Sequence, residues 1–330
     1  AGGKATNVAR VLDRLLIAHN EPNVELVTFL PPPPMGPLQN LEFRLAGDLA
    51  LHPSTAAGIY VQCLQIAELR KVRPRFEIVG ELREGDGMQV TRRCIEITLD
   101  ESGGSMNFSP HIVWSQEAAE AVMLRVTEVA HDSDMVVMAG APPVWDVHPG
   151  ADLTPDNFYA EIINALKCEV SIDVRGYYLP DCLTGRRAPR FVFMNTQEFC
   201  EAADLWKELG GKRKDITILV HDKDGCWVWD SKLPDGQNPF LGAEYFPSLK
   251  VTRVYSTIGA GDAMHAGFLK EWICSEPGRD ERLHRAVIHS QVVSAISVSN
   301  EKATHGISAQ TVEDRFRQIW QQYRVTDSRG

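Results

Sequence analysis

From Gln116 onward, strand-length apolar runs alternate with helix-length amphipathic segments, and that rhythm leaves few folds open. Gln116 to Val129 carries Ala119, Val122, Met123 and Val126 at helical spacing and runs into the apolar stretch MVVMAG. Thr154 and Pro155 open a second helix through Phe158, Ile162, Ile163 and Leu166, followed by VSIDV. FVFMN leads into a helix from Thr196 to Leu209, then come ITILVHD and a short pair around GCWVWD. Helices after Asp262 and from Leu283 to Ser299 complete the series. Parallel strands need crossover connections, and helices of about 10–15 residues supply them. The expected fold class is α/β: a doubly wound, mostly parallel sheet with helices on both faces.

The first hundred residues depart from that rhythm. AGGKATNVARVLDRLL reads as a loop entering a helix, with Thr6 as a cap and Val8, Val11, Leu12, Leu15 and Leu16 on one face. Such a loop needs a strand before it, so a strand is expected upstream of Ala1. VELVTFL is a strand, stopped by Pro31 to Pro34 because proline cannot donate to a ladder. A Pro-rich surface insertion is expected around 31–55. RCIEITLDESGGSMNFS alternates in period two across Ser102-Gly103-Gly104, the mark of a hairpin, and predicts a small β element around 76–110. One domain over 1–330 accommodates both additions.

The formal charge of −10 argues against nucleic acid or an anionic membrane as partner. No apolar run approaches the roughly 18 residues of a membrane span, and the start carries no signal-peptide core. The seven cysteines form no Cys-x-x-Cys pair, which fits free thiols and a cytoplasmic location better than zinc or a disulfide framework.

One stretch concentrates the chemistry. TIGAGDAMHAGFL places Gly259-Ala260-Gly261-Asp262 where a helix begins. Ligands of doubly wound sheets sit beyond the carboxyl ends of strands. Small residues there let backbone N–H groups approach a phosphate, and the helix N-terminus adds partial positive charge. A carboxylate at that spot repels bound phosphates unless it has work to do. Accepting a proton from a hydroxyl that attacks a γ-phosphoryl group is such work.

These residues resemble the C-terminal signature of the ribokinase/PfkB family of sugar kinases. GGKATNVARVL resembles its N-terminal signature, in the Gly-Gly-Lys-x-x-Asn-Val form of 1-phosphofructokinases and tagatose-6-phosphate kinases. TRRCIEITLDESGG is similar to the lid hairpin, AGAPPVW to a Pro-Pro turn, IDVRG to an Asp-x-x-Gly segment, and NTQE to the Asn-x-x-Glu motif. The resemblance implies ATP-dependent phosphoryl transfer to a hydroxyl of a sugar or sugar phosphate. It makes Asp262 the general base and Gly259, Ala260 and Gly261 the anion hole. Asn195 and Glu198 would organise the triphosphate and Mg2+, with Glu198 acting on the metal through water. Gly225 and Thr257 would lie on the nucleotide side. Gly2, Gly3 and Asn7 would contact sugar hydroxyls, and Lys4 and Arg92 a phosphate already on the sugar, with Arg175 as a third cation. Lid strands that pair between subunits imply a homodimer.

Several alternatives stay open. Asn195 and Glu198 also read as a helix cap with its capping box, and Arg92, beside Arg93, as a solvated lid residue. His265 follows Asp262 by one turn, where a packed helix-face histidine competes with a His–Asp dyad; His221 reads as a bystander. The family's nucleotide loop, Thr-x-Gly-x-x-Gly, stands here as VHDKDG, with Asp222 at a glycine position. A carboxylate there predicts weak ATP binding. It favours a second reading, a pseudokinase that senses sugars or binds partners, and within enzymes a kinase for an unphosphorylated sugar or a nucleoside is the alternative.

Overall fold

The computed structural model describes residues 4–16, 25–30, 43–45, 49–51, 73–78, 95–99, 104–108, 116–131, 133–142, 144–145, 147, 152–209, 215–231, 234, 240–257, 259–275, 278–300 and 303–327. Helix α1 (Lys4–Leu15) comes first, followed by β1 (Glu25–Leu30), β2 (Phe43–Leu45), β3 (Leu49–Leu51), β4 (Arg73–Ile78), β5 (Ile95–Leu99) and β6 (Gly104–Phe108). Then α2 (Gln116–Val129), β7 (Met135–Ala139), α3 (Phe158–Ala165) and β8 (Glu169–Asp173) begin the regular alternation. It continues with α4 (Leu179–Thr184), β9 (Phe191–Asn195), α5 (Thr196–Glu201), α6 (Ala203–Leu209), β10 (Thr217–His221), β11 (Gly225–Asp230) and β12 (Glu244–Pro247). Helices α7 (Ala260–Cys274), α8 (Arg279–Val298) and α9 (Ala309–Asp327) end it.

The main sheet has six strands in the order β12-β11-β10-β9-β8-β7. Strands β7 to β10 run parallel, and β11 and β12 add an antiparallel edge. Burial follows the two-residue period of a strand. Phe191 and Phe193 of β9 face a core built with α1, α7, α8 and α9, whereas Val192 and Met194 face a second core with the remaining helices. Both faces are covered, as a parallel sheet requires. Helix α7 is buried all round from Asp262 to Trp272, being held between sheet and α8. Its charged residues are paired: Lys270 Nζ lies 2.6 Å from Glu313 Oε1, and Arg285 Nη2 2.6 Å from Glu271 Oε1.

The alternation is therefore as the sequence predicts, with local corrections. Helix α1 begins at Lys4, so Thr6 lies inside it rather than capping it. Thr154 and Asn157 exchange hydrogen bonds in a turn, and the helix waits until Phe158. The segment from Thr196 divides into α5 and α6 at Ala202. Strands β5 and β6 pair antiparallel, Leu99 opposite Gly104, and the expected turn at Ser102 and Gly103 lies outside the described residues, while β4 pairs in parallel with β1. Short β2 and β3 pair within the Pro-rich stretch. Helix α9, whose buried Val312, Phe316 and Trp320 recur four apart, and strand β12 add to the elements expected from the sequence.

Candidate active site

Three parallel strands deliver polar residues to one edge of the sheet. Strand β8 ends at Asp173, β9 at Asn195 and β10 at His221, with His221 opposite Asn195 in register. Helix α7 starts beside them. Gly259 occupies its N-cap position at φ 71°, a left-handed conformation that disfavours any side chain. Ala260 N–H donates to Thr257 O and Ala263 N–H to Gly259 O. Helix geometry leaves the intervening amides of Gly261 and Asp262 without an intrahelical acceptor. At Gly261 a Cβ would stand 3.0 Å from His221 Cε1 and 3.2 Å from its Nε2, so only glycine lets the imidazole lie there undisturbed.

Asp262 is 7 % exposed, and Asn7 Nδ2 donates to its Oδ2 across 2.7 Å. Arg10 Nη1 donates to Asn7 Oδ1 at 3.2 Å, which orients the amide with its nitrogen toward the carboxylate. Burial pushes the Asp262 carboxyl up to about 6; the Asn7 bond and Lys4 oppose the rise, and Asp173 adds to it.

Lys4 Nζ lies 2.5 Å from Asp173 Oδ1 and 3.9 Å from Glu198 Oε1. Burial works against its charge, yet Asp173, Glu198 and Asp262 together hold the ammonium above the ordinary lysine range. Glu198 is raised by burial, against the pull of Lys4 and of the Asn195 N–H. The capping box at α5 is closed: Asn195 N donates to Glu198 Oε2 at 3.0 Å, and Glu198 N to Asn195 Oδ1 at 2.8 Å. Glu198 thus caps with one oxygen and turns the other toward Lys4.

The VHDKDG segment forms the tight turn between β10 and β11. Asp222 N donates to Gly225 O at 2.8 Å, and Gly225 N to Asp222 O at 3.3 Å. The exposed Asp222 carboxylate is engaged locally, accepting from Thr196 Oγ1 at 2.9 Å and from Lys223 N at 2.5 Å. His265 points into the core rather than toward Asp262. It stacks on Phe193 with ring centroids 4.1 Å apart, and its Nε2 lies 2.7 Å from Ser171 Oγ. Burial lowers its pKa to about 4, leaving the ring neutral at pH 7.

Of the residues singled out in the sequence, Lys4, Asn7, Asn195, Glu198 and Gly259 to Asp262 meet at this edge. Gly225 closes the neighbouring turn, and Thr257 contributes its carbonyl just before α7. Gly2, Gly3 and Arg92 lie outside the described residues. Arg10 escaped notice; Asp173 leads the Asp-x-x-Gly segment, but its bond to Lys4 spans 169 positions, which no local pattern encodes, and His221, read as a bystander, lies against Gly261. Arg10, three residues after Asn7 on one helix face, did carry a signal. Among the described residues no group of three or more His, Cys, Asp or Glu forms a metal cage, and no helix is long and apolar enough to cross a membrane.

The chain resembles solved kinases over nearly its whole length. Phosphofructokinase-2 from Escherichia coli, crystallised with substrates and products, superposes with a TM-score of 0.61 at 16% identity, covering 94% of this chain and 86% of that one. A possible 1-phosphofructokinase from Thermotoga maritima gives 0.61 at 14%, covering 96% and 85%. A nucleoside kinase from Methanocaldococcus jannaschii gives 0.56 at 15%, covering 96% and 86%. No curated protein matches the chain in sequence. These identities establish a shared fold across kinases with different acceptors, and the family itself comes from a sequence profile. That profile, the pfkB family carbohydrate kinases, matches residues 115–310, from the start of α2 into α9, so the chain belongs to that family.

Proposed function

We propose that the protein transfers the γ-phosphoryl group of ATP to a hydroxyl of a sugar phosphate, with Asp262 as general base. The observation that carries this reading is the buried Asp262 carboxylate, fixed by Asn7, in the same helical turn as the amides of Gly261 and Asp262. Asp262 Oδ1 is left to take the proton of the acceptor hydroxyl as that oxygen bonds to the γ-phosphorus. The bond from phosphorus to the bridging oxygen breaks, and ADP leaves with the electron pair. The Gly259-Ala260-Gly261 turn and the amide of Asp262 meet the charge on the transferring group. Thr257 and Gly225 border the nucleotide, and Gly2, Gly3 and Asn7 the sugar.

Magnesium fits the donor set, since Mg2+ binds through one or two carboxylates plus substrate phosphates and water. Asp173 and Glu198 supply two carboxylates, and the Lys4 ammonium between them is a stand-in cation. Bound there, the metal would neutralise phosphate charge, while Asn195 keeps Glu198 in place through the capping box. One domain over 1–330 accounts for the whole chain: the β5–β6 hairpin serves as lid within 76–110 and as a dimer contact, and 31–55 is an insertion.

One observation favours a second acceptor class. Lys4 is already paired with Asp173, as expected of a kinase for an unphosphorylated sugar or a nucleoside. A screen of sugars, sugar phosphates and nucleosides for ATP-dependent phosphorylation tests both. Turnover confined to phosphorylated sugars supports the first reading, turnover of neutral acceptors the second, and no turnover of any overturns both.

A further inference from the structure

The ion pair of Lys4 sits at an unexpected place. A lysine that reads an acceptor phosphate should reach away from carboxylates, yet this ammonium lies against Asp173 and within 3.9 Å of Glu198. Asp173 is 3 % exposed at its side chain and Glu198 13 %, whereas Lys4 retains 37 %. The two carboxylates are therefore fixed in the protein, and the lysine is the exposed partner with a flexible stem. Asp173 closes β8, and Glu198 is held by the closed capping box at the start of α5. Lys4 opens α1, in the N-terminal signature.

From this geometry we infer that Lys4 is a positioning residue that alternates between two partners, and that the binding of a divalent cation releases it. Without metal, the ammonium neutralises Asp173 and Glu198 and keeps these rigid carboxylates from repelling each other. A divalent cation competes for the same oxygens with twice the charge. Lys4 then gives up Asp173 and becomes available to a phosphate on the acceptor side, a few residues from Asn7. Metal and phosphorylated acceptor would thus assist each other, because thermodynamic coupling is reciprocal. The inference rests on the reading of Glu198 as a metal-organising residue, and it reconciles the paired lysine with a phosphorylated acceptor.

Mn2+ alone, titrated into the full chain and followed by the electron paramagnetic resonance of the free ion, tests it. Lys4→Met keeps the apolar stem and removes the competitor, so it should bind Mn2+ at least about tenfold more tightly than the wild type, the order of one charge-assisted interaction. Equal or weaker binding by Lys4→Met, including no binding by either protein, overturns the inference. Circular dichroism verifies folding, and Lys4→Gln carries the same test where Lys4→Met does not fold. Glu198→Gln in the Lys4→Met background separates the two layers. Loss of the gained affinity supports both. A gain that persists in full removes Glu198 from the metal while leaving the competition at Asp173 standing.

Discussion

Asn7 and Asp262 stand 255 positions apart and share a 2.7 Å hydrogen bond, so the two signature segments of the chain meet at one carboxylate oxygen. Arg10 fixes the amide from behind, and burial raises the carboxyl to about 6 against the pull of Asn7. A general base works ionised, so kcat/KM should fall as pH drops below about 6. Asn7→Ala removes a bond that favours the charged form and should move this acidic limb upward by about one unit, the order of a charge-assisted hydrogen bond. A limb that stays in place in the pH–rate profile would separate Asn7 from the ionisation of Asp262.

Asp262 also bears on stability. Its folded pKa, about 6, lies above the ordinary 3.8, so the native state binds the extra proton more readily than the unfolded chain. The stability this adds is fully present below about 3.8 and is lost as pH rises through about 6. At pH 8 the protein therefore carries an unfavourable buried charge, costing up to about 3 kcal/mol by linkage. Asp262→Asn should raise the thermal midpoint at pH 8, with the gain shrinking toward pH 4. Calorimetric melts that show a lower midpoint for the variant at pH 8 would mean that the carboxylate is stabilising as it stands.

The departure at Asp222 is milder in the fold than in the sequence. Its oxygens are occupied by Thr196 and the Lys223 N–H, and the side chain is exposed. A water-screened charge about 4 Å from a phosphate costs about 1 kcal/mol, against about 4 in a partly dry site. Asp222→Asn should accordingly tighten ATP by no more than about fivefold in calorimetry. A tightening well beyond tenfold would place the carboxylate against the phosphates and revive the weak-nucleotide reading.

For the acceptor, Arg92→Ala should raise KM for a phosphorylated sugar by about tenfold or more and leave its unphosphorylated analogue nearly unchanged. Equal effects on both would assign Arg92 to the solvated lid surface.

The sequence was most informative where local pattern and chemistry coincide. The Gly259–Asp262 turn announces a helix start that tolerates an anion, and the strand–helix alternation from Gln116 gives the sheet. Asn195 and Glu198 could be read as cap or as site, and the structure makes them a closed cap whose second glutamate oxygen faces Lys4. Lys4 itself was legible as a cation and illegible as a partner of Asp173, because that contact depends on how α1 meets the end of β8. His221 looked incidental for the same reason: its place against Gly261 follows from the register of β10 with β9 and the docking of α7. The His–Asp alternative failed because His265 turns to Phe193 and Ser171 in the core.

The central claim is that Asp262 takes the proton of the attacking hydroxyl, and single-turnover phosphoryl transfer by Asp262→Asn tests it most directly. Asparagine keeps the shape and can no longer accept a proton, so the rate with the best acceptor should fall about 10²–10⁴-fold while the Kd for ATP stays within about threefold. A variant that retains more than about a tenth of the wild-type rate would contradict the account.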